Sequence, residues 1–269
     1  MTSLSKRSEK PIIFEIDKIV KEAKDINTYW LEGDIDAKPG QFVMVWIPGV
    51  DLKPFGISYK EEERFAMTIR KVGPFSSRIF DLKKGDRIGI QGPYGRGFSG
   101  KGKTVALVGG GYGTAPLGFL ADESLKSGKN IFFITGAVTK DCLLFRERFK
   151  SKRIKMIFST DDGSFGHSGL CTGCLTDLLS KEKIDYVYCC GPEKMMVKVF
   201  EICEKRKIPA EFSLERYMKC GFGVCGTCCL DGTGWRVCRD GPVFTLDELK
   251  RMAEFGKYRR DATGKRVEI

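Results

Sequence analysis

Apolar residues fall along this chain in two rhythms. Over residues 12–98 they come in short runs, at 12–20, 28–31, 42–47, 57–59, 65–70 and 87–91, rich in β-branched and aromatic side chains. Punctuated by Pro39-Gly40, Pro48-Gly49 and Lys84-Gly85-Asp86, these runs predict strands joined by turns, and so many short strands predict a barrel. One short helix is expected over residues 75–82. From residue 99 the rhythm changes. Apolar runs at 104–108, 130–134, 155–159 and 186–190 alternate with helical stretches at 116–127, 142–149, 174–180 and 193–205. That alternation predicts a doubly wound parallel sheet. After Pro209 the chain turns Cys- and Gly-rich and keeps neither rhythm. The expected architecture is therefore multi-domain, β plus α/β: a barrel over residues 1–98, a nucleotide-type sheet over 99–212, and a small third unit over 213–269.

Composition narrows the function classes. The chain has 269 residues, 42% hydrophobic and 30% charged, enough for a buried core. It contains no run of 18 or more apolar residues, and residues 1–11 lack the apolar centre of a signal peptide. A cytoplasmic protein without a membrane span is expected. The formal charge is +11, but Lys and Arg are scattered among acids, as in Glu61-Glu62-Glu63-Arg64. Scattered charge offers no stripe along which phosphates could lie, so no nucleic-acid partner is expected. The single histidine, His167, excludes His-based zinc catalysis and Ser-His-Asp hydrolysis.

Eleven cysteines change the picture most. In a cytoplasmic chain they point to metal or redox chemistry rather than disulfides. The spacing Cys220-x4-Cys225-x2-Cys228-x9-Cys238 matches the plant-type arrangement that holds a [2Fe–2S] cluster. Gly221, Gly223 and Gly226 supply backbone conformations that let one tight loop wrap the inorganic core. Zinc prefers two C-x2-C knuckles, which the x4 gap denies. Cys229 competes with Cys228, and the spacing selects Cys228. Cys171-x2-Cys174 has no second pair nearby and reads as a decoy. Cys142, Cys189 and Cys203 read as core.

A second chemical signal is the run of residues 109–116, Gly-Gly-Gly-Tyr-Gly-Thr-Ala-Pro, between an apolar strand and a helix. Backbone N–H groups of Gly109, Gly110, Gly111, Gly113 and Thr114 at such a junction suit a pyrophosphate. A further loop, Cys190-Gly191-Pro192, ends another strand. Ligands of doubly wound sheets bind at such carboxyl ends, which puts both loops on one rim.

In this order, these segments resemble the ferredoxin-NADP reductase superfamily, and within it the electron-transfer subunits of NAD-dependent dihydroorotate dehydrogenases. The residues that carry the resemblance are 53–58 (Lys-Pro-Phe-Gly-Ile-Ser), 92–98, 109–116, Cys190-Gly191-Pro192, 214–220 and 240–244, so that it spans nearly the whole chain. It implies an iron–sulfur flavoprotein oxidoreductase of pyrimidine biosynthesis, with FAD in the barrel and NAD as substrate. Pro54, Phe55, Ile57 and Ser58 would meet the flavin, with Thr68, Ile69 and Arg70, and Gly73, Phe75 and Ser76, along its ribityl and phosphate portions. Lys53 and Gly56 depart from the family's usual Arg and Ser. Gly191 and Pro192 would border the nicotinamide, with Cys190 beside it as the catalytic-site thiol. The implied partner is a separate flavin-containing catalytic subunit that oxidises dihydroorotate, two copies of each forming a heterotetramer. Electrons would pass through the cluster to FAD and leave as hydride to NAD.

Two alternatives stay open. One is the diaphorase subunit of a cytoplasmic hydrogenase or sulfide dehydrogenase. Flavin-bifurcating relatives tend to carry Asp where Cys220 stands. The other, from a different class, is a non-catalytic zinc-binding module.

Overall fold

The computed structural model describes residues 3–4, 8–150 and 153–269; residues 1–2 and 5–7 of the N-terminal stretch without a signal-peptide core lie outside them. Six antiparallel strands close a barrel in the order Ser8–Ala23, Ile26–Glu32, Arg64–Arg70, Asp51–Lys60, Phe42–Ile47, Arg87–Tyr94. Strand Phe42–Ile47 shows why the sequence specifies this. Its side chains alternate, as strand geometry requires. Val43, Val45 and Ile47 fill the barrel, while Phe42 and Met44 join a second core outside it. Both faces are buried, so a slip of one residue would exchange the two cores' side chains and is excluded.

The same logic governs the second unit. Seven strands form a sheet in the order His167–Ser168, Ile154–Thr160, Asn130–Ala137, Thr104–Gly110, Tyr186–Cys190, Ala210–Ser213, Val243–Thr245, parallel except for the last. In the central strand Val105 and Leu107 face one core, Ala106 and Val108 the other. Helices cover both faces, which is why this strand reads as one continuous apolar run. Helix α1 (Pro74–Phe80) belongs to the barrel. Helices α2 (Thr114–Lys126), α3 (Cys171–Lys181) and α4 (Glu193–Arg206) flank the sheet. Chain order reverses between Thr104–Gly110 and Tyr186–Cys190, the switch point where a crevice opens at the strands' carboxyl ends. Among the described residues no helix is long and apolar enough to cross a membrane.

Residues 142–149, expected as a helix, are not one. A single 3-10 turn, Lys140–Cys142, is followed by irregular chain in which Phe145 takes a left-handed φ of 64°. Leu143, Leu144, Phe145 and Phe149 are all buried. An apolar run buried on every side has no period to distinguish helix from loop.

The cysteine-rich segment is pinned at both ends. Strand Ala210–Ser213 leads into it, strand Val243–Thr245 leads out, and the two pair with each other. Short helices α5 (Val237–Asp240) and α6 (Leu246–Lys250) follow its turns. Trp235 stacks on Phe244 with ring centroids 5.9 Å apart. Arg96, from the barrel, forms an ion pair with Glu248 at 2.6 Å and thus ties this segment to the barrel too.

Candidate functional site

A cavity of about 450 Å³ opens where all three parts meet. Pro54, Phe55, Thr68, Arg70, Gly73, Phe75 and Ser76 line its barrel side; Gly113 and Cys190 line its sheet side. Phe55 and Phe75 stack at 5.8 Å. The Ser76 hydroxyl accepts hydrogen bonds from the Val72 and Gly73 N–H groups at 2.8 and 2.9 Å, which shapes the turn before α1. Three expected flavin contacts are not in the lining. Ile57 and Ile69 are buried in the barrel core, and the buried Ser58 hydroxyl receives a hydrogen bond at 2.8 Å from Thr68, itself in the lining. They support the wall from behind. Lys53, standing where the family usually has Arg, lines the cavity and pairs with Asp51 at 2.6 Å.

The two rim loops touch. A Cβ on Gly113 would lie 2.5 Å from the Gly191 Cα, and one on Gly110 would lie 2.9 Å from Pro192. Gly109 backs onto Thr114, whose buried hydroxyl turns toward Thr135 rather than outward. Gly111 differs. Its φ is +54° and a Cβ there would meet nothing within 4 Å, so its backbone borders open space at the start of α2. A peptide edge next to an uncapped helix N-terminus is an anion cradle. Gly111→Val strains the backbone by ~1–2 kcal/mol and fills that space. The expected result is a KM for NADH raised at least about tenfold with FAD content unchanged; an unaltered NADH affinity would contradict this placement.

Cys190 is buried, and burial, followed by the nearby Glu215 carboxylate, pushes its thiol pKa well up; its thiol pairs with Ser213. It is therefore a neutral wall group, not a thiolate. Sequence reasoning missed its neighbours. Tyr112, on the glycine loop, donates a hydrogen bond to Glu215 at 2.7 Å across the cavity mouth. Partial desolvation between the cavity walls raises the pKa of both groups, although Tyr112 is still 38% exposed and Glu215 is exposed too. The available signal was the 214–220 segment, whose Leu214, Glu215, Arg216, Tyr217 and Met218 all line the cavity.

That segment runs directly into the cysteine loop. Gly221, Gly223 and Gly226 have φ of +82°, +89° and +72°, the left-handed region a wrapped loop requires. The loop lies on the barrel: a Cβ on Gly221 would lie 2.6 Å from Met44, and Phe222 sits 6.2 Å from Tyr94. The four thiols form two pairs. Cys220 bonds Cys225, and Cys228 bonds Cys238, whose N–H also reaches the Cys228 sulfur at 3.4 Å. Cys225 is exposed; the slight desolvation that opposes its ionisation is outweighed by hydrogen bonds from Thr227 and Cys220, which bring the pKa to about 6. The Cys238 hydrogen bond brings Cys228 to about 7 and raises Cys238 itself. Cys229 pairs through its backbone with Arg236. Among the described residues no three His, Cys, Asp or Glu side chains converge on one ion. Four thiols in two neighbouring pairs supply the ligand number of a diiron core, two to each iron.

The remaining cysteines are different. Cys171 and Cys174 sit in the first turn of α3, packed in the core, and burial pushes Cys171 up to about 12. Cys189 and Cys203 are fully buried and Cys142 is half-buried. His167 is exposed on the edge strand.

Residues 215–250 match the family model for the iron–sulfur cluster binding domain of dihydroorotate dehydrogenase B. The chain is 48% identical to a probable dihydroorotate dehydrogenase B (NAD(+)) electron transfer subunit of Methanocaldococcus jannaschii, over 96% of this chain and 99% of that one. It belongs to the dihydroorotate dehydrogenase B electron transfer subunit family. A second such relative, from Methanothermobacter thermautotrophicus, is 46% identical over 96% of this chain and 97% of its own. Among solved structures, one described as an NADH-dependent reduced ferredoxin-NADP oxidoreductase of flavin-based electron bifurcation aligns with TM-score 0.79. It shares 31% identity over 91% of this chain and 94% of its own. A ferredoxin reductase of carbazole 1,9a-dioxygenase, at 18% identity and TM-score 0.65, shares the fold. This electron transfer subunit family thus combines a reductase barrel and sheet with an iron–sulfur domain, as the fold here does.

Proposed function

We propose that the chain carries electrons from a dihydroorotate-oxidising catalytic subunit to NAD, using a [2Fe–2S] cluster and FAD. The observation that carries this reading is continuity: Met218 walls the cavity and Cys220 is two residues further on, at most about 7 Å along an extended chain. Cluster and flavin positions are therefore neighbours by covalent connection. Bound there, FAD supplies exchange of one electron with the cluster and of two with nicotinamide.

In this reading the division of labour follows residues 1–98, 99–212 and 213–269. Pro54, Phe55 and Phe75 give the isoalloxazine an apolar wall, while Thr68, Arg70, Gly73 and Ser76 hold the ribityl and phosphate end. Ile57, Ser58 and Ile69 keep that wall rigid. Gly109, Gly110, Gly111, Gly113 and Thr114 seat the dinucleotide pyrophosphate, and Gly191 and Pro192 border the nicotinamide. Cys190, held neutral, fills space beside it and excludes water. Cys220, Cys225, Cys228 and Cys238 ligate the cluster. No side chain here needs to abstract a proton from dihydroorotate. The partner subunit does that, in a cytoplasmic assembly of two copies of each chain.

Anaerobic purification with the partner tests the reading. About two irons, two acid-labile sulfides and one flavin per chain are expected, together with dihydroorotate-dependent reduction of NAD. Zinc in place of iron, or a colourless protein, would overturn it.

A further inference from the structure

Helix α2 is the wall shared by the two redox sites. Its start carries the glycine loop, and its flank lies on the flavin strand Asp51–Lys60. One contact is made at Gly56, where a Cβ would lie 2.9 Å from Pro116 Cγ. Phe119, one turn on, packs into the barrel core.

A second contact is built by Arg148, from the irregular segment that the sequence misread as helix. Its side chain is 7% exposed. One amino group, Nη2, donates to Asp122 of α2 at 2.6 Å and to the Ser58 carbonyl of the flavin strand at 3.0 Å. The guanidinium lies 3.3 Å from the Tyr59 ring centroid, 4.5 Å from that of Phe145 and 4.9 Å from that of Phe149. On its other side it fills the place of a Gly118 side chain. Among the described residues Nε and Nη1 have no hydrogen-bond partner, and they face the aromatic rings. The left-handed backbone at Phe145 brings that ring into this cage.

Two contacts fix more than one does. From Pro116 to Asp122 the helix rises about 9 Å. Held at Pro116 and Phe119 alone, α2 keeps freedom to tilt at its far end; held at Asp122 as well, its tilt on the flavin strand is set, and with it the height of the glycine loop over the cavity. We propose that Arg148 is a positioning residue for hydride transfer, clamping the nucleotide helix to the flavin strand so that nicotinamide and flavin meet at reacting distance. This inference rests on the functional reading above. Arg148 touches neither reacting group: it does not line the cavity.

The test uses full-length protein loaded with cluster and FAD, with bleaching of the flavin followed after rapid mixing with NADH. Arg148→Met keeps the apolar stem and removes both hydrogen bonds. At saturating NADH, well below the melting temperature, its limiting rate of flavin reduction should fall about 10- to 100-fold, as for a reacting pair misplaced by roughly an ångström. NADH affinity should stay within about twofold, because the glycine loop itself is untouched. Arg148→Lys, with one ammonium to reach Asp122 or Ser58, should recover part of the rate. Gly118→Ala disturbs the cage from the opposite side and should reproduce the slow hydride step; it decides the matter by the same criterion if Arg148→Met does not fold. A lowered melting temperature with an unchanged limiting rate, or a loss confined to NADH affinity, overturns the inference. Wild-type protein whose flavin stays oxidised in NADH overturns the functional reading itself.

Discussion

Protein carrying Cys228→Ser is expected to leave purification without acid-labile sulfide and with the iron lost, and to show no electron paramagnetic resonance signal on reduction. Cys228 and Cys238 are both buried, and the Cys228 sulfur receives both the thiol and the N–H of Cys238. A serine hydroxyl there ionises far less readily than a thiol and cannot replace it as a soft ligand to iron. Electron transfer from the partner subunit to NAD should drop by at least a factor of about 100, beyond the ~10–100-fold cost of losing an outer-shell group. NADH oxidation by an artificial dye needs only flavin and nucleotide sites and should largely persist. Equal loss of both activities would mean that the cysteine loop is a structural brace, not a relay.

The largest effect on stability is expected at Arg216. Its guanidinium is 4% exposed and is shared between Glu193 at 2.7 Å and Glu254 at 2.7 Å, carboxylates themselves 9% and 1% exposed. The arrangement joins the cavity wall to the start of α4 and to the C-terminal turns. Each carboxylate also accepts a backbone N–H, Glu193 from Gly256 and Glu254 from Asp231. Exchanging the whole group for apolar residues need not cost stability, but removing one partner leaves the others charged and dry. Arg216→Met strands two carboxylates and should cost ~3–5 kcal/mol. For a chain of this size that lowers the melting temperature by on the order of 10 °C. Arg216→Lys should recover little, since an ammonium lacks the fork that spans both acids. A melting temperature within about 2 °C of wild type would show that the pair is solvated in solution.

How legible this molecule is from its sequence depends on how local each signal is. The proposed cluster ligands are close together in the chain, so their spacing alone suggests the chemistry. Strands such as Phe42–Ile47 declare themselves through continuous β-branched and aromatic runs, because both of their faces are buried. Strands Ala210–Ser213 and Val243–Thr245 do not. They are four and three residues long, too short for a period, and are fixed by pairing: Ala210–Ser213 with Tyr186–Cys190, and Val243–Thr245 with Ala210–Ser213 across the cysteine loop. The Tyr112–Glu215 contact joins residues 103 apart, and Arg148 meets Ser58 across 90. Nothing at either end of such a pair announces the other. Residues 142–149 misled for the opposite reason, with plenty of apolar signal but no period in it.

The antiparallel pairing of Ala210–Ser213 with Val243–Thr245 bears on how the current flows. It makes the iron-bearing lobe an overgrown loop between two hydrogen-bonded strands, not a pendulum on a tether. With cluster and flavin placed as proposed, no swing through solvent is needed to bring donor and acceptor together, so thickening the medium with glycerol has nothing to slow at that step. This part of the molecule is wired when it folds, and its conductance is a property of the fold at rest.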